Sequence, residues 1–228
     1  STAISSVFLP KVTGMVATNS DDKQISDLFI RTGRIQNIVM SLILFCFIAF
    51  GRPFITLWAG SDYSEAYPIT LCFFISLYIP LIQNLGITIL QARNQMKFRS
   101  LLYIVIALVS LILQYIFAIK WGGLGCAIAI SGALLFGQGL IMNIYYAKYQ
   151  KLDVISFWSE ILKMDMIPFI LTIPALYLIS QHSINSWLQL IIGIFAYTVI
   201  YTALFYRYSL NKSEKSLVKE PFAKIFRR

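Results

Sequence analysis

Residues 100–147 read SLLYIVIALVSLILQYIFAIKWGGLGCAIAISGALLFGQGLIMNIYYA, and Lys120 is their only charged residue. A helix of about 20 apolar residues is long enough to cross the hydrocarbon core of a bilayer. The runs on the two sides of Lys120, residues 100–119 and 121–147, both reach that length. The pattern therefore predicts two membrane-spanning helices that are joined by a short, glycine-rich turn.

Three more runs lack Asp, Glu, Lys and Arg: residues 35–51, 66–92 and 166–206. The last run is about twice as long as one crossing needs, and the polar residues 181–186 divide it into two. With 58% apolar and 13% charged residues, against about 45–50% and about 25% in soluble domains, the composition excludes an ordinary soluble enzyme. We therefore predict an all-α integral membrane protein with six transmembrane helices.

The predicted layout has five parts, and the chain looks like the C-terminal half of a longer protein. The parts are residues 1–34, the end of a preceding helix and a cytoplasmic loop; residues 35–147, four transmembrane helices at about 35–58, 68–92, 100–119 and 122–147; residues 148–165, a cytoplasmic amphipathic linker; residues 166–206, two peripheral transmembrane helices at about 166–181 and 187–206; and residues 207–228, a basic cytoplasmic tail.

Charge placement predicts which side of the membrane each loop faces. By count, 17 of the 19 Lys and Arg residues fall on one side of the six predicted helices if Lys11 belongs with the first loop, and only Arg52 and Lys120 fall on the other. Loops that are rich in Lys and Arg stay in the cytoplasm, so we expect a cytoplasmic C-terminus. Topology and anionic lipid headgroups explain the net charge of +9, and we expect no nucleic-acid partner.

Polar side chains mark two of the predicted helices. Asn84, Thr88 and Gln91 follow one another at intervals of four and three residues, so a helix places them on one face. Gln138 lies on the fourth predicted helix. Such residues either bond to a neighbouring helix or line a wet pathway, because polar groups avoid lipid. All four are candidate cavity-lining residues.

Residues that bear catalytic or metal chemistry are scarce. The chain has one His, and Cys46, Cys72 and Cys126 all fall inside apolar runs. We find no metal-ligand spacing and no phosphate-binding glycine loop, so we predict no enzyme, no metal and no cofactor. No Asp or Glu falls inside a predicted helix, and we therefore expect any ion-coupling carboxylate to lie outside these helices.

Three segments together resemble a known family of membrane transporters: residues 6–10 (SVFLP), residues 50–60 (FGRPFITLWAG) and residues 122–129 (GGLGCAIA). Their order and spacing are similar to those of the Wzx-type flippases, the polysaccharide-transporter branch of the multidrug, oligosaccharidyl-lipid and polysaccharide exporter superfamily. The resemblance covers most of residues 1–147. The remainder of the chain matches only in topology.

The resemblance implies a transporter with two lobes around a central cavity that works by alternating access. The six helices then form most of the C-terminal lobe of this MATE-like fold. The implied substrate is an undecaprenyl-pyrophosphate-linked oligosaccharide, moved across the bacterial inner membrane for O antigen of lipopolysaccharide or related polymers. The expected partners are this substrate, membrane lipids, the N-terminal lobe and other polysaccharide-assembly proteins.

Flippases of this family place cationic residues in the cavity, where they meet the pyrophosphate of the substrate. Residue type and placement give five candidates for substrate binding: Arg31, Arg34, Arg52, Arg93 and Lys97. Arginine suits a diphosphate because its guanidinium donates two parallel hydrogen bonds. The other explanation for the placement of all five is membrane topology alone, without any role in substrate binding.

Other functions make different predictions. A cation- or proton-coupled drug antiporter of the same superfamily requires an acid that faces the cavity inside the membrane, and a lipid II flippase requires a basic cavity in both lobes. A membrane-embedded polysaccharide polymerase requires a large outer loop or an acidic metal-binding motif. A structural subunit would leave the polar stripe of Asn84, Thr88 and Gln91 with packing as its only role. The sequence favours the polysaccharide flippase.

Overall fold

The computed structural model of the protein describes residues 10–16, 21–182, 184–211 and 214–215. Within these ranges every regular element is a helix, and no strand is present. The predicted end of a preceding helix, up to residue 9, and the basic tail beyond residue 215 lie outside the described residues.

The helices follow one another with short connections. In chain order they are α1 (residues 10–16), α2 (Asp22–Ala59), the short 3-10 turn Ser61–Tyr63, α3 (Ala66–Ile82), α4 (Asn84–Ala92), α5 (Met96–Leu134), the π-helix Leu135–Ile141, α6 (Met142–Lys148), α7 (Val154–Gln181) and α8 (Trp187–Tyr208). Side chains cap the first turns of α2, α7 and α8 at Asp21, Asp153 and Ser186. Each cap accepts a hydrogen bond from a backbone N–H that the helix leaves unpaired.

Four helical stretches are long and apolar enough to cross a membrane: Asp22–Ala59, Met96–Lys148, Val154–Gln181 and Trp187–Tyr208. A fifth is obtained when α3 and α4, which meet at a bend of 42°, are taken as one broken span. The expectation of an all-helical chain with several membrane-length helices is therefore confirmed.

Large apolar side chains cover much of the outer surface of these helices. On α5, Leu111, Ile112, Tyr115 and Ile119 are 62% to 75% exposed. A water-soluble protein avoids continuous apolar surface of this kind, whereas lipid tails are as apolar as leucine. This face of α5 is suited to contact with lipid or with other membrane helices.

The stretch Met96–Lys148 is interrupted near its middle. Trp121 (φ −131°, ψ 15°) and Gly122 (φ 55°, ψ −132°) leave the helical region of backbone conformation. Glycine adopts the left-handed conformation at Gly122 without the steric cost that a Cβ atom would add. The break therefore lies within the glycine-rich turn that the sequence predicts.

The two arms of this stretch, residues 96–120 and 123–148, fold back on each other. A Cβ atom on Gly125 would lie only 2.1 Å from the carbonyl oxygen of Phe117, although eight residues of straight helix span about 12 Å. At the far end of the arms, the rings of Phe98 and Tyr145 stack with their centroids 4.1 Å apart. Met96–Lys148 is therefore an antiparallel helical hairpin.

Gly125→Ala is expected to destabilise the hairpin by about 1–3 kcal/mol, because the new methyl group would meet a backbone carbonyl. Gly132→Ala is the matched control, since no atom lies within 4 Å of the Cβ position at that residue. Thermal unfolding of both variants in detergent, followed by circular dichroism, measures the difference. Equal melting temperatures for the two variants would contradict the close approach of the arms.

α3 and α4 form a broken helix. Pro80 lies inside α3, where it removes one backbone hydrogen bond. The chain leaves helical geometry three residues later, at Gln83 (φ −96°, ψ 15°). This break turns the Gln83 side chain into the interior, where the residue is 3% exposed.

α7 differs from the prediction at its N-terminal end. The sequence predicts a linker over residues 148–165, but the helix begins at Val154 and continues through the predicted span to Gln181. Phe157, Ile161 and Met164 are almost completely buried, because this face of α7 packs in the protein core beside α2. The apolar face that suggested a helix lying on the membrane surface is a contact between helices.

α2 lies at the centre of the bundle and contacts α3, α4, α7 and α8. One apolar cluster surrounds the stacked rings of Phe29 and Phe157, and a second surrounds Phe50 and Tyr197. The first cluster joins α2 to α7, and the second joins α2 to both α7 and α8. α7 and α8 therefore pack directly on the central helix of this chain, and their peripheral position relative to a transport path stays a prediction.

Candidate functional site

Charged side chains meet at one end of the helix bundle, which we call the basic end. It is formed by the start of α2, the end of α8 and the loops that follow α4 and α6. Ion pairs join these parts, because Arg93 lies 2.8 Å from Asp22 and Arg34 lies 2.7 Å from Glu214. Three exposed tryptophans lie at the opposite end of the bundle: Trp58, Trp121 and Trp187.

Arg34 is the most enclosed of the five predicted cationic residues, with only 5% of its surface exposed. Its Nε and Nη2 atoms donate to the two carboxylate oxygens of Glu214, at 2.7 and 2.9 Å. Nη1 donates to Glu160 on α7, and Nη2 also donates to the carbonyl oxygen of Ser209 at 2.9 Å. This guanidinium therefore ties α2 to α7 and to the segment after α8.

Glu214 is held as a carboxylate in this cluster. Burial raises the pKa of its carboxyl group, but hydrogen bonds from Arg34 and from the Asn211 backbone N–H act in the opposite direction. Arg31 adds a further favourable electrostatic interaction. The pKa of Glu214 consequently lies below its ordinary value, and the ion pair persists at neutral pH.

Arg93 is also occupied by partners within the protein. Its guanidinium binds Asp22 at the start of α2 and donates to the backbone carbonyl oxygen of Gln150 at 2.8 Å. Lys151 approaches the second oxygen of Asp22 at 3.8 Å. Arg93 therefore fastens the loop after α6 to the start of α2.

The other three predicted cations have exposed side chains. Arg31 and Lys97 lie at the basic end, on α2 and α5. Arg52 lies near the opposite end, with its guanidinium carbon 5.3 Å from the centre of the Tyr67 ring. The structure therefore does not bring the five predicted cations together into one site.

The predicted polar stripe on α4 is divided. Asn84 and Thr88 are buried, at 7% and 6% exposure, whereas Gln91 is exposed beside the basic end. Gln138 is buried in the π-helix, and its side-chain nitrogen has no hydrogen-bond partner among the described residues. The stripe thus runs from the interior of the bundle to its surface.

A buried amide network that sequence reasoning missed lies beside this stripe. The Gln83 side-chain nitrogen donates to Asn143 Oδ1 at 2.7 Å, and the Trp158 ring N–H donates to the same oxygen at 3.0 Å. Asn143 in turn donates to the carbonyl oxygens of Gln138 and Gly139 in the π-helix. The network joins the break between α3 and α4 to the irregular helix opposite it.

α7 contains a half-buried carboxylate, Asp165, within the residues 148–165 that the sequence predicts as a linker. Asp165 is eleven residues beyond Val154 and hence about 16 Å along the helix. Asn37 on α2 donates to its Oδ1 at 2.9 Å, and the Tyr78 hydroxyl on α3 donates to its Oδ2 at 2.7 Å. The Tyr78 hydroxyl also lies within hydrogen-bonding distance of Asn37 Oδ1.

The partners of Asp165 are neutral. Among the described residues, no Lys, Arg or His forms an ion pair with it. One turn further along α2, Ser41 is hydrogen-bonded to the Tyr201 hydroxyl of α8 at 2.8 Å, and this hydroxyl also donates to the Ile38 carbonyl oxygen. Polar groups from α2, α3, α7 and α8 therefore gather around the Asp165 carboxylate.

The expectation that no acid lies within a membrane helix stays a prediction, but α7, which is long and apolar enough to cross a membrane, contains Asp165. The sequence criterion required a run without charged residues, so it began the fifth helix after Asp165. Two signals in the sequence point to the longer helix: the apolar spacing of Phe157, Ile161 and Met164, and the N-capping residue Asp153.

We compared the chain with protein-family models, with curated proteins and with solved structures, and nothing matches it in any of the three comparisons. Within the described part of the chain, no group of three or more His, Cys, Asp or Glu residues is placed to hold a metal ion. The resemblance of the three segments to polysaccharide flippases stays a prediction from sequence.

Proposed function

We propose that this chain is one lobe of a two-lobe membrane transporter and crosses the membrane six times. The proposed crossings are α2, α3 with α4, the two arms of the hairpin, α7 and α8. The reversal at Gly122 supports two separate arms, each of which exceeds the length of about 20 residues that one crossing needs. α2 begins and α8 ends at the basic end, as an even number of crossings requires.

The proposed orientation places the basic end in the cytoplasm, because Lys and Arg are retained on that side. The proposed membrane is the bacterial inner membrane, where the resembled flippases act. The exposed tryptophans at the other end support this arrangement, since indole rings favour the interface between membrane and water.

The proposed cargo is an undecaprenyl-pyrophosphate-linked oligosaccharide for O antigen or a related polymer. The three resembled segments support it, and Arg31 and Lys97 supply exposed positive charge at the end where a cytoplasmic diphosphate would arrive. Arg34 and Arg93 are bound to carboxylates in this conformation, so we assign them to the stability of the bundle.

The observation on which the proposal of active transport depends is the Asp165 carboxylate among Asn37, Tyr78 and Tyr201. An ionisable group in a membrane helix is costly and marks a functional site by default. Because its hydrogen-bond partners are neutral, the gain or loss of one proton changes the net charge at the junction of four helices. That property suits a carrier that couples its cargo to an ion gradient.

The same carboxylate favours a second candidate function. A cation- or proton-coupled drug antiporter of the same superfamily requires an acid inside the membrane, and Asp165 would meet that requirement. The two candidates share the coupling site and differ in cargo. Neither involves bond chemistry, and we propose no catalytic residue.

Deletion of the full-length gene in its host is expected to abolish surface polysaccharide and to leave lipid-linked repeat units inside the cell. The wild-type gene should restore the polymer, and Arg31→Ala and Lys97→Ala should restore less of it. Lys120→Ala, an exposed cation at the opposite end, is the matched control and should restore it fully. The polymer is measured on a gel of surface polysaccharide.

Normal polymer in the deletion strain would overturn the proposed cargo. In that case, increased sensitivity of the strain to cationic dyes and drugs would support the antiporter.

A further inference from the structure

Asn37, Tyr78 and Asp165 form a closed ring of three polar contacts. The Asn37 side-chain nitrogen lies 2.9 Å from Asp165 Oδ1, and the Tyr78 hydroxyl oxygen lies 2.7 Å from Asp165 Oδ2. The third contact joins the Tyr78 oxygen to Asn37 Oδ1. Each contact needs one hydrogen between its two heavy atoms, because two lone pairs would otherwise face each other. The ring as a whole therefore needs three hydrogens.

The two neutral side chains supply only two of these hydrogens. The Asn37 amide provides one N–H and the Tyr78 hydroxyl provides one O–H, whereas an ionised carboxylate provides none. A protonated Asp165 supplies the third, since its Oδ2–H donates to the Tyr78 oxygen and the Tyr78 hydroxyl then donates to Asn37 Oδ1. Exchange of the nitrogen and the oxygen of the Asn37 amide leaves this count unchanged, because the amide still brings one nitrogen and one oxygen to the ring.

The hydroxyl cluster next to the ring is balanced without an added proton. Tyr201 donates to the Ile38 carbonyl oxygen at 2.8 Å, and Ser41 can then donate to the Tyr201 oxygen at 2.8 Å. Two contacts are thus served by two hydroxyl hydrogens. Of these two neighbouring clusters, only the ring that contains the acid lacks one hydrogen when all its groups are in their ordinary forms.

The charged groups near the ring do not replace the missing proton. On α2 and α7 the cations nearest to it in sequence are Arg34 and Lys163, and carboxylates of the chain bind both of them. The titratable groups that face the acid from α3 and α8 are the hydroxyls of Tyr78 and Tyr201. A charged Asp165 would therefore lie in the bundle without a cation to pair with, and burial of an unpaired charge is costly.

We propose that Asp165 carries a proton in this conformation, and that this proton closes the contact between α2, α3 and α7. When the proton leaves, the carboxylate keeps both donors, because hydrogen bonds to an ionised acceptor are the stronger ones. The Tyr78 oxygen and Asn37 Oδ1 are then left without a hydrogen between them and repel each other. α3 thus loses this contact with α2 two residues before Pro80 and five residues before the break at Gln83.

The inference deepens the coupling role proposed above for Asp165, because it names the ion as a proton and the switched contact as that of α3 with α2. It rests on the proposed function only for the use of this proton in transport. The hydrogen count of the ring depends neither on the cargo nor on a second lobe.

Infrared spectroscopy of the purified 228-residue chain in detergent tests for the proton directly, since the C=O stretch of a protonated carboxyl group is separate from that of a carboxylate. At neutral pH we expect this band in the wild type and its complete loss in Asp165→Asn. Asp62→Asn, which removes an exposed acid, is the control and should keep the band. Absence of the band from the wild type, or an unchanged band in Asp165→Asn, would overturn the proposal.

Urea unfolding in mixed micelles tests the effect of the proton on packing. If the folded chain binds one proton more than the unfolded chain, stability falls as the pH rises, and the folding equilibrium constant decreases about tenfold per pH unit. Asp165→Asn should lack this dependence, because its amide nitrogen supplies the third hydrogen at every pH. Parallel profiles of the two proteins, over the pH range in which the infrared band persists, would contradict the closed ring.

Should Asp165→Asn fail to fold, the wild-type chain can be produced with aspartate that carries ¹³C in its side-chain carboxyl group. The band should shift in this labelled chain. The other five aspartates are exposed or, like Asp22, paired with a cation, so a shifted band is assigned to Asp165. A band that does not shift would overturn the proposal.

The outcomes separate this inference from the proposed function. The infrared band in the wild type together with normal polymer in the deletion strain keeps the proton and overturns the cargo. Absence of the band together with loss of polymer keeps the flippase and overturns the proton-closed ring.

Discussion

Asp165→Asn is expected to reduce transport to the level of a strain that lacks the gene. The amide has nearly the shape of the carboxyl group and can still accept a hydrogen bond from Tyr78 or Asn37. It cannot gain or lose a proton, and it offers no charge to a cation. If Asp165 couples transport to an ion gradient, this substitution removes the coupling while it preserves the packing of α7 against α2 and α3.

Two measurements separate coupling from stability. Complementation of the deletion strain reports transport, and the melting temperature of the purified variant in detergent reports folding. We expect complementation to be lost while the melting temperature changes little. Asp62→Asn, which removes an exposed acid in the 3-10 turn after α2, is the control and should complement fully. Full complementation by Asp165→Asn would show that the carboxylate only supports helix packing.

Arg34→Gln is expected to lower the free energy of unfolding by about 3–5 kcal/mol, the usual cost of removing one partner from a buried ion pair. Glu214, with a side chain only 4% exposed, would be left without its guanidinium, and Glu160 would lose the same partner. Urea unfolding in mixed micelles, followed by tryptophan fluorescence, measures the change. The double variant Arg34→Gln, Glu214→Gln should recover part of the loss, because one of the stranded charges is removed.

The acid side of the stability profile gives a second check on this ion pair. The folded-state pKa of Glu214 lies below its ordinary value of 4.5. A carboxyl group with a depressed pKa stabilises the fold fully above its ordinary value, and this contribution is lost as the pH falls through the folded-state pKa. Wild type should therefore lose more stability on acidification below pH 4.5 than Glu214→Gln does. Parallel acid profiles of the two proteins would contradict the assignment.

Periodic and compositional signals predicted the parts of this fold that depend on local sequence. The charge-free runs located the membrane-length helices, and the glycines after Trp121 located the reversal of the hairpin. Polar spacing selected Asn84 and Thr88, which the structure buries. These features are set by neighbours within a few turns of the chain, and such patterns are visible without knowledge of the tertiary contacts.

The missed features depend on contacts between residues that are far apart in sequence. Arg34 was selected as a free cation for a diphosphate, but Glu160 and Glu214 neutralise it from 126 and 180 residues away. Asp165 was placed in a linker because a charged residue ends a charge-free run, and its partners, Asn37 and Tyr78, belong to two other helices. Gln83 was passed over since it lies one position outside the periodic stripe. Tertiary partners decide the role of each of these polar groups, and periodicity does not report them.

The distance along the sequence between Arg34 and Glu214 also determines when their ion pair can form during biosynthesis. The two residues are 180 positions apart, so at about 5–20 residues per second a ribosome adds Glu214 roughly 9–36 s after Arg34. Glu160 arrives earlier, and Glu214, the bidentate partner of the guanidinium, follows 54 residues later. Until Glu160 is added, Arg34 on α2 has neither of its two carboxylate partners. The bundle therefore closes around its central helix only when synthesis of the described chain is nearly complete.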